Sequence, residues 1–182
     1  MNGTRSRMGE ANTRPVADIL NDVKKLAVEY YHATGKPLGV TGEIAEFEAA
    51  RVLGLTLAEA RSPGADAIRV VNDRSETIQI KGRWKRDGAK WGRVPSIKTG
   101  PGQPFDVVML VLLQGGYELH SIWEMPHAMA AALLDGPGSR VRNELRSLAV
   151  SQFMAKATRV WPPETCGKDD RALPAGMERT GV

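Results

Sequence analysis

The chain has 182 residues, 42% of them hydrophobic, which predicts one domain with its own core. No apolar run reaches the roughly 18 residues that a membrane helix needs, so we expect no membrane association. Cys166 is the only cysteine, which excludes an internal disulfide and favours a reducing, cytoplasmic location.

The first predicted elements are two helices. Residues 1 to 14 are polar and predict a flexible arm without a secretory signal, and the single domain is expected over residues 15 to 161. From Pro15, apolar residues recur at helical spacing and predict a helix that ends near Gly35. A second helix is predicted to begin with Thr41 as its N-cap and to run to about Leu53.

Strands follow. Alternating residues predict strands over 67 to 71 and 77 to 81, and the polar residues between them predict a hairpin turn. Residues 82 to 104 are rich in glycine, proline and basic side chains, which is typical of a long loop. Residues 107 to 113 are apolar throughout and predict a central strand buried on both faces.

The last third of the chain also contains both predicted strands and predicted helices. After a Gly115-Gly116 turn, the pattern predicts a strand over 117 to 123, helices over 126 to 134 and 141 to 157, a short strand over 159 to 161, and a flexible tail over 162 to 182. The expected fold class is therefore α/β (α+β), with a mixed central sheet of about five strands flanked by helices.

The predicted hairpin places an acid beside an amide and an amine. Gln79 and Lys81 share one face of their strand, because strand side chains alternate. Mg²⁺ prefers oxygen ligands and usually takes only one or two carboxylates from a protein. Candidate ligands are Asp66, the Gln79 amide oxygen and the Ile80 carbonyl, while Lys81 would lie near the phosphate and the attacking water. This set predicts metal-dependent phosphodiester hydrolysis with Mg²⁺, or with Mn²⁺ as a substitute.

A further acid is expected from the second helix, because Gln79 carries no charge. Glu43 and Glu46 lie three residues apart and therefore on one helix face. Glu48 is rotated by about 200° from Glu46 and faces elsewhere. Glu46 is the favoured ligand, with Glu43 close behind.

A strongly basic segment follows the candidate site. From Lys81 to Lys98 there are seven basic residues and one acid, Asp87, so the segment carries a charge of +6. Such a local charge predicts contact with an anionic polymer. The two tryptophans of the segment either stack on bases or pack beneath the loop. The candidate nucleic-acid contacts are Arg83, Trp84, Lys85, Arg86, Lys90, Trp91, Arg93 and Lys98.

A helical Glu46, then Asp66, then Gln79-Ile80-Lys81 resembles the PD-(D/E)XK nuclease superfamily, in the Gln-x-Lys variant similar to Mrr-type restriction enzymes. The resemblance covers about residues 41 to 113. It implies a restriction-endonuclease-like fold, a catalytic set of Asp66, Gln79, Lys81 and Glu46, a Mg²⁺ cofactor, and a restriction, defence or mobile-element context. Ala65 stands where the superfamily name has proline, and only Gly115-Gly116 intervenes where a helix is usual.

The expected function is a Mg²⁺-dependent DNA endonuclease. Cutting both strands of DNA would require two active sites, so we expect a homodimer. One alternative is a non-catalytic DNA-binding subunit of a larger system. The other is an interaction module whose first helix, with Tyr30 and Tyr31, and last helix pack against a protein partner.

Overall fold

The computed structural model describes residues 14–59, 64–100, 105–138 and 140–163. The predicted arm and tail therefore lie outside the described residues, except for Arg14 and Pro162-Pro163. Within the described ranges, no helix is long and apolar enough to cross a membrane.

A six-stranded mixed sheet forms the centre of the fold. Its strands are β1 (Thr56–Leu57), β2 (Ala67–Val71), β3 (Arg74–Lys85), β4 (Val107–Gln114), β5 (Glu118–Pro126) and β6 (Thr158–Trp161). They lie in chain order, and every neighbouring pair is antiparallel except the parallel pair β3–β4. The α+β class with a mixed, helix-flanked sheet is thus confirmed, with β1 added to the predicted strands.

Helices cover both faces of the sheet. They are α1 (Val16–Thr34), α2 (Thr41–Leu53), α3 (His127–Asp135), α4 (Arg140–Leu145) and α5 (Val150–Met154). One face packs against α1 and α2, and we call it the α1/α2 face. The other packs against α3, α5 and the side chains of Trp91, Val94, Ile97 and Phe105, and we call it the α3/α5 face. Alternate residues of β4 enter the two cores, which is why its sequence is apolar throughout.

The strand β3 is longer than its sequence indicates. Residues 82 to 85, predicted as the start of a loop, continue the strand and pair with residues 111 to 114 of β4. This parallel pairing with a buried strand overrides the local preference of a glycine and basic residues for a loop. Strand β2 pairs with β3 only from Arg74 to Ile78, so among the described residues the edge of β3 beyond Ile78 is open on that side.

The long helix predicted over 141 to 157 is wrong in one respect, because it is divided into α4 and α5. Arg146, between them, has a left-handed φ of 48°. The buried Ser147 donates from Oγ to the Val94 carbonyl at 2.7 Å, and Arg93 pairs with Ala149 in an isolated β-bridge. These contacts hold residues 147 to 149 in an extended conformation against the segment before β4, which interrupts the helix.

Candidate active site

Asp66 lies where β2 separates from β3. Its backbone N–H donates to the Ile78 carbonyl at 2.8 Å, and its carboxylate Oδ2 accepts the Ile80 N–H at 2.7 Å. The side chain of Asp66 thus replaces the backbone acceptor that a continuing β2 would supply. Because the N–H and C=O of one strand residue point to the same side, the Ile80 carbonyl also faces this split. The structure therefore brings together two of the predicted ligands.

Gln79 and Lys81 both lie on the α3/α5 face of β3. They pair with Val108 and Leu110, which are buried in the core of that face. The Oε1 atom of Gln79 is buried, and within the described part of the chain it accepts no hydrogen bond. A buried acceptor without a partner costs about 1–3 kcal/mol, so a cation or a water is the expected neighbour of this oxygen.

The closeness of α2 to β3 depends on Gly82. A Cβ atom on Gly82 would lie 2.7 Å from Ala45 Cβ and 2.7 Å from the Thr41 carbonyl oxygen. The missing side chain therefore lets the first turns of α2 rest on the strand, and Glu46 approaches the site. Sequence analysis missed this residue, although a glycine inside a strand is a known signal of close backbone approach.

Glu46 is electrostatically coupled to the rest of the site. Burial raises the pKa of Glu46, the negative charges of Asp66 and Glu43 raise it further, and Lys81 opposes them. Glu48 instead forms ion pairs at 2.6 Å with Lys24 on α1 and with Arg51, so it faces away from the site as predicted.

Lys81 is half-buried beside these acids. Burial is the main cause that lowers the pKa of Lys81; Lys98 lowers it further, while Asp66 and Glu46 act in the opposite direction. A lysine with a lowered pKa gives up its proton more readily, which suits proton transfer. Lys98, a cation of the basic segment, is therefore close enough to Lys81 to influence its charge.

A cavity of about 570 Å³ runs along the open edge of β3. It is lined by residues of the α2 N-terminus and its approach, of β3, and of the basic segment: Pro37, Gly39, Thr41, Gly42, Ile80, Lys81, Gly82, Arg83, Trp84 and Pro95. The cavity places solvent space directly beside Lys81 and the Ile80 backbone, where a substrate can enter.

The donor set at this split suits a hard divalent cation. Asp66 and Glu46 supply carboxylates whose like charges repel, Gln79 supplies a buried amide oxygen, and the Ile80 carbonyl faces the same split. Among the residues that the structure describes, no group of three or more His, Cys, Asp and Glu could hold a metal ion. An ion at this site would therefore use two carboxylates and neutral oxygens, a number and type of ligand that fits Mg²⁺ or Mn²⁺.

Trp84 packs inside the protein. Its indole Nε1 donates to the Gly115 carbonyl at 3.0 Å, and its ring stacks on Tyr117 at a centroid distance of 5.0 Å. Tyr31 of α1 approaches the ring edge-on at 5.1 Å. Of the two alternatives for Trp84, these contacts favour packing over base stacking.

The other candidate contacts of the basic segment differ in their exposure and in their partners. Arg93 is bound, because its guanidinium donates to the Ser147 hydroxyl at 3.2 Å and to the Ser147 carbonyl. Arg83, Arg86, Lys90 and Lys98 are exposed, and Lys85 and Trp91 are half-buried. The exposed members remain available for contact with an anion.

Comparison with models of known protein families and with curated proteins finds no match for the chain. The fold and the site alone therefore define what kind of protein this is: an α+β protein in which two acids and a lysine interact electrostatically where two strands separate, with a buried amide on the same strand as the lysine.

Proposed function

We propose that the protein is a metal-dependent endonuclease that hydrolyses the phosphodiester bonds of DNA, of the PD-(D/E)XK type that its motif resembles. The observation that supports the proposal best is the grouping of Asp66, Ile80 and Glu46 beside the buried Gln79 oxygen and Lys81. Metal-dependent phosphodiester hydrolysis uses oxygen ligands that hold a cation beside the phosphate, and a nearby amine can assist proton transfer; this grouping supplies candidates for both.

The acids and neutral oxygens have the first role. Asp66, Glu46, the Gln79 amide and the Ile80 carbonyl would hold Mg²⁺ or Mn²⁺, which when bound activates water and neutralises charge on the phosphate. The Ile80 N–H fixes the orientation of the Asp66 carboxylate through its 2.7 Å hydrogen bond. The repulsion that raises the pKa of Glu46 would be relieved by a cation between the two acids.

Lys81 has the second role. Its lowered pKa increases the fraction of neutral amine, which accepts a proton from the attacking water. In its ammonium form, the same group attracts the oxygens of the phosphate. Lys98 contributes by keeping the pKa of Lys81 low and by adding positive charge on the side from which DNA would approach.

A cleavage assay tests the proposal. The purified full chain is incubated with supercoiled plasmid and linear duplex DNA, with Mg²⁺, with Mn²⁺, or with a chelator. We expect cleavage that needs the metal and falls by about 10² or more in Asp66→Asn and Lys81→Ala. The control Arg74→Ala removes an exposed cation at the β2–β3 turn and should cleave normally.

Two outcomes would contradict the proposal. Cleavage that survives both site substitutions would place the chemistry elsewhere. DNA binding without cleavage in either metal, and unaffected by Lys81→Ala, would instead favour a non-catalytic DNA-binding subunit of a restriction, defence or mobile-element system. We propose a cytoplasmic location for the nuclease and for the DNA-binding subunit alike.

A second candidate function is self-association through α1. Four apolar side chains of α1 are exposed at coiled-coil spacing: Val16 (60%), Ile19 (40%), Leu26 (57%) and Tyr30 (41%). In an antiparallel pair of α1 helices centred on Val23, Val16 would lie opposite Tyr30, and Ile19 would lie within one residue of Leu26.

Light scattering tests this homodimer. We expect a dimer for the natural chain and a monomer for Leu26→Lys, which places a charge in the centre of the stripe. Val70→Lys is the matched control, because Val70 is even more exposed, at 69%, but lies on β2. A natural chain that stays monomeric at all concentrations would exclude the dimer without bearing on cleavage.

A further inference from the structure

A bulge in β5 turns His120 toward Trp91. Leu112 pairs with Ser121 but Leu113 pairs with Leu119, so His120 is the extra residue of the strand. Its ring lies 5.5 Å from the Trp91 ring, and its Nδ1 is hydrogen-bonded to the Ser121 hydroxyl at 2.9 Å. Bulges commonly re-aim side chains next to functional sites. Here the bulge forms an aromatic pair on the α3/α5 face.

Two cations, Lys85 and Arg159, lie near this aromatic pair. The Lys85 Nζ lies 4.7 Å from the centre of the Trp91 ring, and the Arg159 guanidinium lies 6.0 Å from the centre of the Trp123 ring. Burial is the main cause that lowers the pKa of His120, and the charges of Lys85 and Arg159 lower it further. Within the described ranges neither cation forms an ion pair, and the Arg159 Nε is buried without a hydrogen-bond partner. The cluster therefore has positive charge to offer an anion.

A cavity of about 680 Å³ opens beside Trp91. Its walls are Ala89, Lys90, Trp91, Ser151, Met154 and Ala155. An aromatic face, apolar walls, one cation and one hydroxyl match a flat ligand with polar edges, such as a nucleobase. The adjacent cations would then meet the phosphate of the same nucleotide.

The cluster lies on the same face of β3 as the candidate active site. Lys81, Arg83 and Lys85 alternate along the strand and share its α3/α5 face. Lys85 lies four residues along the strand from Lys81, or roughly 13 Å. A line of three cations thus leads from Lys81 to Trp91, as a nucleic-acid backbone would require.

We propose that Trp91, Lys85, Lys90, His120 and Arg159 form a binding site for an unpaired nucleotide. The base would stack on Trp91 in the cavity, and its phosphate would lie against the cations. Bases within a duplex are stacked on each other and cannot enter such a cavity, so the preferred ligand is single-stranded. Combined with the proposed function, on which this step rests, the substrate is DNA with an unpaired strand next to the cleaved bond.

Binding in the absence of metal tests the site separately from cleavage. The full chain, in chelator, is titrated into a fluorescent oligothymidylate of about 12 nucleotides and into a duplex of the same length, with anisotropy as the readout. We expect the single strand to bind about tenfold more tightly than the duplex. Trp91→Ala and Lys85→Gln should each weaken single-strand binding about tenfold and leave duplex binding nearly unchanged.

Conservative and matched variants complete the test. Trp91→Phe keeps an aromatic face and should retain most single-strand binding, which separates stacking from any loss of folding in Trp91→Ala. Arg74→Gln, which removes an exposed cation at the β2–β3 turn, should bind as the natural chain does. Circular dichroism shows which variants are folded.

The outcomes separate this inference from the proposed nuclease activity. Equal affinity for single-stranded and duplex DNA would overturn the site. Folded Lys85→Gln, Trp91→Phe and Trp91→Ala variants that all bind the single strand as tightly as the natural chain does would overturn it too. Metal-dependent cleavage of duplex without that preference would overturn this inference and leave the proposed function standing. Tight single-strand binding without cleavage in any metal would overturn the proposed nuclease function and leave the nucleotide-binding site standing.

Discussion

The charge of Glu46 should affect both the stability of the folded protein and its affinity for metal. Its raised pKa means that the ionised carboxylate is less favourable in the folded protein than in the unfolded chain. Glu46→Gln should therefore raise the Tm at neutral pH by about 1–2 °C, a small gain because the group is only half-buried. The gain should disappear as the pH falls below the ordinary glutamate pKa, where Glu46 is protonated in both states.

Bound metal should raise the Tm of the natural chain more than that of Glu46→Gln. With Mn²⁺ about 100-fold above its Kd, the natural chain should gain about 5 °C or more in Tm, and Glu46→Gln should lose most of that gain. Glu29→Gln, an exposed acid on α1, is the control and should keep it. A Mn²⁺ shift equal in all three proteins, measured by scanning fluorimetry, would argue against a metal site at Asp66.

Lys81 can be tested for proton transfer by a substitution that keeps its charge. An arginine remains protonated in proteins, so Lys81→Arg preserves attraction for the phosphate but cannot accept a proton. We expect cleavage to fall by about 10²–10⁴ while DNA binding in chelator stays within about twofold. Single-turnover rates and anisotropy measure the two quantities; a variant that cleaves normally would limit Lys81 to a purely electrostatic role.

Lys98 offers a finer test of the same lysine. Because the charge of Lys98 lowers the pKa of Lys81, Lys98→Gln should raise that pKa. Cleavage that increases with pH as Lys81 loses its proton would then reach its plateau at a higher pH than in the natural chain. A pH–rate profile measures the shift, and an unchanged profile would show that the rate does not depend on Lys81 deprotonation.

The packing of α2 on β3 depends on one missing side chain. Gly82→Ala puts a Cβ atom 2.7 Å from a backbone oxygen, so the helix must shift, at a cost of about 1–3 kcal/mol in the free energy of unfolding. Gly42→Ala is the matched control: it lies in α2 with no atom within 4 Å, and should stabilise the helix by about 0.5–1 kcal/mol. Urea unfolding measures both; similar changes would show that the close approach is not needed.

The helices α1 and α2 are joined by a nearly buried ion pair. The Lys24 and Glu48 side chains are only 12% and 6% exposed, and their charged atoms are 2.6 Å apart. Lys24→Ala would leave Glu48 with Arg51 alone, so we expect a loss of about 3 kcal/mol, whereas exposed Lys25→Ala should change little. Equal losses in the two variants, measured by urea unfolding, would contradict this.

The pH dependence of this pair follows from its pKa. Burial opposes ionisation of Glu48, but the hydrogen bonds and charges of Lys24 and Arg51 outweigh it and lower the pKa. The pair therefore stabilises the protein above the ordinary glutamate pKa, and this contribution is lost as the pH falls through the lowered value.

Elements with a strong local pattern could be predicted from the sequence. The apolar stripe of α1, the glycine that ends α2 and the continuous apolar run of β4 are all local signals, and the structure confirms these elements. The extension of β3 through Gly82 and the break at Ser147 depend on distant partners, β4 and Val94. Such long-range contacts leave no periodic signal in the segment itself.

The arrangement of the candidate site was predictable to a similar degree. Strand periodicity placed Gln79 and Lys81 on one face, and the structure brings Asp66 to Ile80 as the hairpin requires. The roles of the two tryptophans were not decidable, because they depend on what lies across the sheet: Tyr117 for Trp84, and a bulged His120 for Trp91. A bulge shifts side chains by one position and is invisible in an alternating pattern.

The charge of the whole chain is unevenly distributed, and this determines how DNA binding should respond to salt. The net charge is +4, while residues 81 to 98 alone carry +6, so the remainder sums to −2. Apart from Lys81 at the candidate site and Arg93, which binds Ser147, the segment has five cations that form no ion pair among the described residues: Arg83, Lys85, Arg86, Lys90 and Lys98. Each phosphate contact with a single strand contributes about −0.7 to the slope of log K against log salt, so we expect a slope of about −3.5.

Single substitutions should change this slope in a predictable way. Arg86→Ala and Lys90→Ala should each reduce its magnitude by about 0.7 and weaken binding to all sequences alike. Arg74→Ala, an exposed cation at the β2–β3 turn, should leave it unchanged, because it lies outside the segment. Anisotropy titrations at several salt concentrations give the slopes. A slope near zero, or one that Arg74→Ala reduces as much as Arg86→Ala does, would mean that a diffuse positive charge, and not this segment, attracts the nucleic acid.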